Sequence, residues 1–423
     1  MIFLLILQKA AILNAQTKLI FTLMFAGVEK LFTISQKPER LIIGLMSGTS
    51  LDGLDVALCR FSGSGLNTSL TLLQFETVAF DEDFKNEIKQ VFSKKNIELE
   101  KLCLLNPWVA LQHATIINDC LKKWQISKDD VDLIASHGQT VYHAPKSLHR
   151  QTKFTNATLQ IGDGDHLAVA TGIITLSDFR QKHIAAGGEG APLAVYGDYL
   201  VFGKKGEDRI LLNIGGIANF TYLPGSMDNS AIFSTDTGPG NTMMDALMQQ
   251  YFAGSHFDKD AEVARKGSIN TALLQALMEN DFFTQPFPKT TGPELFNMAY
   301  LQRAKEKTGT QNISVEDTMA TLNKFSAATI EMALLKITVP GKPCRIFSSG
   351  GGMHNPLLME HLQKAFPHFT FETTDALDVN PDAKEAVLFA ILANECICGD
   401  GNYLQKGIEG MPAVSMGKIS FPD

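Results

Sequence analysis

Along this chain, carboxylates, hydroxyls and glycines gather where apolar strand candidates end, a pattern that suits phosphate chemistry. Leu41–Phe61, LIIGLMSGTSLDGLDVALCRF, reads as a strand, a polar loop and a second strand. Gly48 and Gly53 permit positive φ and close backbone approach, so successive N–H groups there can form an anion-binding nest. Thr49 and Ser50 add hydroxyl donors. Asp52 and Asp55 are too acidic to touch a phosphate directly, which points to contact through a cation or water. An ordinary hairpin turn has the same composition and stays open as the alternative.

A second candidate is Asp178. Ile173–Leu176 reads as a strand ending in Ser177-Asp178-Phe179-Arg180, ahead of the glycine-rich Ala185–Pro192. A carboxylate at a strand end, beside an arginine and ahead of a glycine-rich loop, is the most interesting in the chain, with a helix cap or an ion pair as its structural alternatives. Val131–Ser136 is a strand expected to end in His137-Gly138-Gln139-Thr140, where open α/β sheets place ligand contacts. His137 and His143 lack a carboxylate or thiol at metal-ligand spacing, which favours hydrogen-bonding or structural roles.

Arg209–Leu223 repeats the opening pattern: an apolar strand, the small-residue turn Asn213-Ile214-Gly215-Gly216, and a second strand. Two such hairpins, separated by helices, predict an internally duplicated fold with a nucleotide between its halves. Asp236-Thr237-Gly238-Pro239-Gly240-Asn241 precedes a helix and suits metal or phosphate contact at its N-terminus. Lys289 is either an anion contact or a solvated loop lysine. Ser349-Gly350-Gly351-Gly352 follows a strand, and such a glycine run lets a flat ligand lie on the backbone. Glu385 falls in the first turn of an apolar helix, where the dipole alone favours a carboxylate.

The elements that must position these groups alternate strand and helix, as an α/β protein requires. At 423 residues, two domains are expected, divided near the polar break Gly203–Glu207 into lobes 40–203 and 204–423. A net charge of −8 without a basic stripe argues against a nucleic-acid partner. Six cysteines show no disulfide-framework density, and a reducing cytoplasm fits them. Residues 1–39 are apolar, but Lys9, Gln16 and Lys18 interrupt them before a membrane-spanning run accumulates. They are read as a leader outside the fold, so no membrane partner is expected for the catalytic region.

With these pieces in order, the chain resembles the anhydro-N-acetylmuramic acid kinase family, in the actin/hexokinase ATPase superfamily. The resemblance rests on IGLMSGTSLDGLD (43–55), SHGQTVYH (136–143), IGDGDHLA (161–168), SDFR (177–180), AAGGEGAPL (185–193), NIGGIAN (213–219), DTGPGN (236–241) and SSGGG with Asn355. One departure is KTTGPE, where Pro293 stands in place of an arginine. The resemblance implies a duplicated actin-like (ribonuclease H-like) ATPase fold whose two lobes close on a nucleotide.

It further implies an ATP- and Mg²⁺-dependent kinase that hydrolyses the 1,6-anhydro bridge of an anhydro amino sugar and phosphorylates O6, acting as a homodimer. Asp178 would be the base for water. Gly48, Thr49, Ser50, Leu51, Asp52, Gly53, Leu54, Asp55, Asn213, Gly215 and Gly216 would hold the phosphates. Ser349, Gly350, Gly351, Gly352 and Asn355 would face the adenosine. Arg180, His137, Gln139 and Glu385 would contact the sugar, and Asp52 and Asp236 would approach the metal through water. A hexosamine kinase of the same fold would phosphorylate an intact-ring sugar. A non-catalytic sugar sensor would turn over neither.

Overall fold

The computed structural model describes residues 26–423 except 49–50, 191–192, 253, 340–341, 374–375, 377–379, 400–411 and 413. The chain divides into two units, Met1–Gly197 with Ala383–Asp423, and Asp198–Asp382.

The first unit is built on a seven-stranded sheet in the order β12-β6-β4-β1-β2-β3, with β5 paired to β4. β1 (Glu39–Ser47) runs antiparallel to β2 (Gly53–Ser62), which runs antiparallel to β3 (Ser69–Ala79). β4 (Leu133–Ala144) lies parallel to β1, and β6 (Thr175–Ser177) parallel to β4. β5 (Ala157–Ile161) and β12 (Lys418–Ser420) are antiparallel additions.

The alternation in β1 explains how both sheet faces are covered. Ile43 and Leu45 join a core with Val109, Ala110 and Ile117 of helix α2 (Leu99–Trp124). Complete burial of each such side chain is worth about 1.5–3 kcal/mol. On the opposite face Gly44 meets helix α7 (Lys384–Cys398), where an added Cβ would stand 1.9 Å from the Ala386 carbonyl oxygen. Only glycine admits a helix that close.

Two expected boundaries differ from those observed. The segment after Asp382, assigned above to the C-terminal lobe, belongs to the first unit. Its anchor is a buried polar network. Arg40 donates to Asn394 Oδ1 (2.8 Å) and the Gly63 carbonyl (2.7 Å), while Glu395 accepts from the Gly65 N–H (3.0 Å) and Thr68 Oγ1 (3.1 Å). A buried arginine and carboxylate are tolerated only when paired in this way. Residues 26–39, read above as part of a leader, also pack on this unit. Helix α1 (Ala26–Gln36) buries Ile34, and Lys37 pairs with Asp132 at 2.5 Å. Residues 1–25 lie outside the described residues.

The second unit carries a five-stranded sheet in the order β11-β10-β7-β8-β9. β7 (Asp208–Ile214), β8 (Ile217–Leu223) and β9 (Phe233–Pro239) form an antiparallel meander. β10 (Cys344–Ser349) lies parallel to β7, and β11 (Phe371–Thr373) parallel to β10. Read as 9-8-7-10-11, this order and these directions repeat 3-2-1-4-6 of the first unit. The molecule is an α/β protein with the duplicated ribonuclease H-like sheets of the actin-like ATPase fold. The core of this unit packs Phe282, Phe283, Phe296 and Tyr300 against Phe325 of helix α5 (Val315–Leu335).

Lys289 is neither an anion contact nor a solvated lysine. It is 7% exposed, donates Nζ to the Phe282 carbonyl (2.7 Å) and lies 4.2 Å from the Phe282 ring centre. β4 also runs on past its expected end, because its second half pairs with β5 from Gln139↔Ile161 to Ala144↔Ala157. His137, Gly138 and Gln139 therefore sit inside the strand. Gly138 takes φ +70° where the register against β1 shifts.

Among the described residues, no helix is long and apolar enough to cross a membrane.

Candidate active site

In the first unit the chemistry-bearing side chains converge at the end of β6. Asp178 stands between β6 and helix α3 (Phe179–Ala185) with φ 53° and ψ 45°, in the left-handed region. That conformation costs a non-glycine residue about 1–2 kcal/mol and is a reason to look for function. Asp178 holds the N-cap position, yet its side chain makes no cap hydrogen bond. The capping alternative therefore falls away. Its carboxylate instead meets Lys418 Nζ at 2.5 Å, brought there by the pairing of β12 with β6 at Lys418↔Ser177.

Arg180, two residues on, is half-buried. It donates Nε to His137 Nε2 (3.0 Å) and Nη1 to the Gly190 carbonyl (2.7 Å). His137 is 3% exposed; burial, and then the Arg180 charge, press its pKa down to about 3. Neutral imidazole accepting at Nε2 must carry its proton on Nδ1. Phe389 of α7 lies over this ring, with centres 4.8 Å apart. Glu385 is one helical turn before Phe389, exposed, and its charge acts on Arg180, opposing the effect of burial there. Helix α7 thus brings Glu385 to the Arg180–His137 pair, which explains why its return to this unit matters.

Gln139 is fully buried and accepts from Ser47 Oγ at 2.5 Å while donating to the Gly48 carbonyl at 3.3 Å. With its amide committed in this way, it shapes the loop that follows β1. Within that loop Asp52 is exposed and Leu51 takes φ 59°; the expected loop ends earlier, since Gly53, Leu54 and Asp55 belong to β2, where Asp55 accepts from Thr77 Oγ1 at 2.6 Å across the pair with β3. Leu54 is core, and Gly53 faces the Val78 carbonyl at 2.5 Å from its would-be Cβ, so these two can offer a ligand only backbone. Thr49 and Ser50 lie outside the described residues.

The second unit brings its predicted residues together around the β7–β8 turn. The N–H groups of Gly240 and Asn241 donate to the Gly216 and Gly215 carbonyls, both at 2.8 Å, docking the Asp236–Asn241 segment on the turn. Ser349 Oγ reaches Asn213 Oδ1 at 3.5 Å, and Gly350 takes φ +81° beside the same side chain. Asn355 caps helix α6 (Pro356–Ala365), accepting from the Leu358 N–H at 3.1 Å and from Asn323 Nδ2 at 3.0 Å. Asp236 accepts from the Thr291 N–H at 2.7 Å, and burial raises its pKa.

A cavity of about 450 Å³ opens beside these residues, lined by Asn241, Met244, Asp245, Phe257, Gly351 and Asn355 among others. Its size suits a small-molecule ligand. Asp245, on helix α4 (Thr242–Tyr251), carries no signal in the sequence, where it reads as one polar residue in an apolar helix.

The anhydro-N-acetylmuramic acid kinase family model matches residues 40–421. A relative from Pseudoalteromonas atlantica named anhydro-N-acetylmuramic acid kinase is 56% identical over 94% of this chain and 99% of its own length. Proteins of the same name from Caldanaerobacter subterraneus and Bacillus cereus are 38% and 34% identical, over 93% and 90% of this chain and 100% and 99% of theirs. The chain belongs to the anhydro-N-acetylmuramic acid kinase family and is a kinase.

Proposed function

We propose that this family member uses ATP to convert 1,6-anhydro-N-acetylmuramic acid and water to N-acetylmuramic acid 6-phosphate. The observation that carries the reading is Asp178, held in a left-handed conformation with its carboxylate withdrawn from the helix it precedes. Asp178 takes a proton from the water that attacks C1, as the base of an inverting glycosidase does. The C1–O6 bond breaks, and the released O6 attacks the γ-phosphorus, so the phosphoryl group rather than a protein acid captures the leaving oxygen.

Arg180 and Glu385 contact the sugar, while buried His137 holds Arg180 through its Nε2 and Gln139 holds the loop after β1. That loop with the start of β2, Gly48–Asp55, and the turn Asn213–Gly216 present backbone donors to phosphate oxygens. The cavity beside Gly351 and Asn355 takes the adenosine.

Oxygen donors suit Mg²⁺, which keeps several waters and binds few carboxylates. Asp236 keeps one carboxylate oxygen beyond the Thr291 bond, and Asp52 is exposed, so both fit water-mediated contact. Among the described residues no group of three or more His, Cys, Asp or Glu could hold a metal. When bound there, Mg²⁺ neutralises charge on the transferring phosphoryl group.

The test is turnover of the anhydro sugar with ATP and Mg²⁺ in ¹⁸O-water, read by mass spectrometry. The expected product carries ¹⁸O on C1 and phosphate on O6, and Asp178→Asn slows its formation about 10²- to 10⁴-fold. Phosphorylation of intact-ring amino sugar alone would overturn the hydrolytic step.

A further inference from the structure

The carboxylate of Asp178 leans on the far end of the chain. Among the described residues, Lys418 is the one side chain bonded to it, with Nζ 2.5 Å from Oδ2. Oδ1 meets no donor among those residues. The restraints that usually hold an aspartate at a helix start are missing: φ is 53° and no helix N–H reaches the side chain. A carboxylate so placed can swing about its χ angles, whereas a base must present a lone pair to one water molecule.

The backbone of Lys418 is fixed, although its side chain is 66% exposed. β12 pairs with β6 at Lys418↔Ser177, Ile419↔Leu176 and Ser420↔Thr175. Met416 and Ser420, on either side of the lysine, are buried. Gly417 takes φ +112°, and a Cβ there would stand 3.3 Å from Phe179 Cε1. The start of the helix Gly164–Thr171 seats on both strands, since a Cβ on Gly164 would lie 2.5 Å from Ser177 Oγ and 2.8 Å from Ser420 Oγ. Phe421 rests on Gly27 of α1, 2.6 Å from a Cβ built there. A slip of one residue would turn Lys418 to the other face of the sheet, and this packing forbids it. An ion pair this exposed adds at most about 1 kcal/mol to stability, so packing holds the strand and the lysine is free to serve another purpose.

We propose that Lys418 is a positioning residue for Asp178: its ammonium holds Oδ2 and keeps Oδ1 turned to the water that attacks C1. This rests on the reading of Asp178 as the base given above. The proton leaves the water for Oδ1 as the bond from water oxygen to C1 forms, while Oδ2 stays on the ammonium, so the carboxyl keeps its orientation through the step.

The experiment measures kcat and KM for the anhydro sugar and for ATP in the wild type, Lys418→Met, Lys418→Arg, Asp178→Asn and the double variant Lys418→Met with Asp178→Asn, together with urea midpoints. Lys418→Met lowers kcat about 10- to 100-fold, as a misplaced reacting group does, and leaves both KM values and the midpoint at wild-type level. Lys418→Arg, which returns a donor, restores most of kcat. The double variant is no slower than Asp178→Asn, because the lysine acts only through that carboxylate.

A wild-type kcat in Lys418→Met beside a slow Asp178→Asn overturns the positioning role and leaves the base standing. A loss that recurs in full in the Asp178→Asn background, or that comes with a lower urea midpoint, overturns it as well, since the lysine then supports only the fold. If Asp178→Asn itself turns over at the wild-type rate, the base falls and the positioning role with it.

Discussion

The two hairpins that open the two sheets share a pattern in sequence and differ in what holds them. Between Ser47 and Leu54, the last pair of β1 and β2, the first unit has a long loop fixed by a side chain, with Gln139 bonded to Ser47 and Gly48. Between Ile214 and Ala218 the second unit has a short turn fixed by backbone, with N–H groups of Gly240, Asn241 and Thr242 on its carbonyls. The same sheet position can therefore be built from side-chain or main-chain bonds. The choice decides which substitutions it tolerates.

The largest expected effect follows from the main-chain version. A Cβ on Gly240 would lie 2.2 Å from the Gly215 carbonyl oxygen, so Gly240→Ala must push two backbone segments apart. A loss of about 3 kcal/mol is expected from such overpacking, read as a lower urea midpoint, together with a higher KM for ATP. Next comes Gln139→Leu. It strands buried Ser47 Oγ and frees the Gly48 carbonyl, at a cost of about 1–3 kcal/mol. Equal effects of these two substitutions on the fold of their own units would break the contrast drawn here.

Acid acts on buried groups in both units. In the first unit His113, His137 and His183 are held by burial at pKa values of about 4, 3 and 4, below the ordinary 6.5. Their folded-state pKa is depressed, so the unfolded chain binds the extra protons and stability is lost as pH falls from 6.5 toward 4. In the second unit Asp245, raised to about 6 from 3.8, takes its proton in the folded state first. Its desolvation penalty, present above pH 6, is relieved as pH falls toward 4.

Both tryptophans, Trp108 and Trp124, lie in α2 of the first unit, so their emission during urea unfolding reports that unit. A midpoint that drops steadily between pH 7 and 5 is expected. A flat midpoint would remove the buried histidines from the account.

Much of this was legible because strand ends and turn chemistry are local. The order of glycine loops predicted the duplicated sheets. What escaped depends on distant pairing. The contact of Lys418 with Asp178 spans 240 residues and rides on a three-residue strand too short to carry a period. Helix α7 is apolar all round, with ten residues from Ala386 to Glu395 buried, so its sequence gave no face to match with either sheet. Polarity points to Gly203–Glu207 as the boundary, whereas the units part after Gly197, inside the helix Ala194–Phe202. Asp245 carries no such signal, because a single carboxylate in a helix says nothing about a cavity.

The close seat of α7 on Gly44 bears on how the protein is made. The first unit begins at the N-terminal side of the chain, yet the helix covering one face of its sheet and the strand on its edge come from Ala383–Asp423. A ribosome working from the N-terminus delivers every strand of the second sheet before it delivers these pieces. The second unit can therefore complete itself on the nascent chain. The first must wait with Ile42 and Gly44 uncovered until the last forty or so residues emerge, about a tenth of the chain. Products cut short in that final stretch would expose an apolar sheet face, the kind of surface that chaperones and proteases engage.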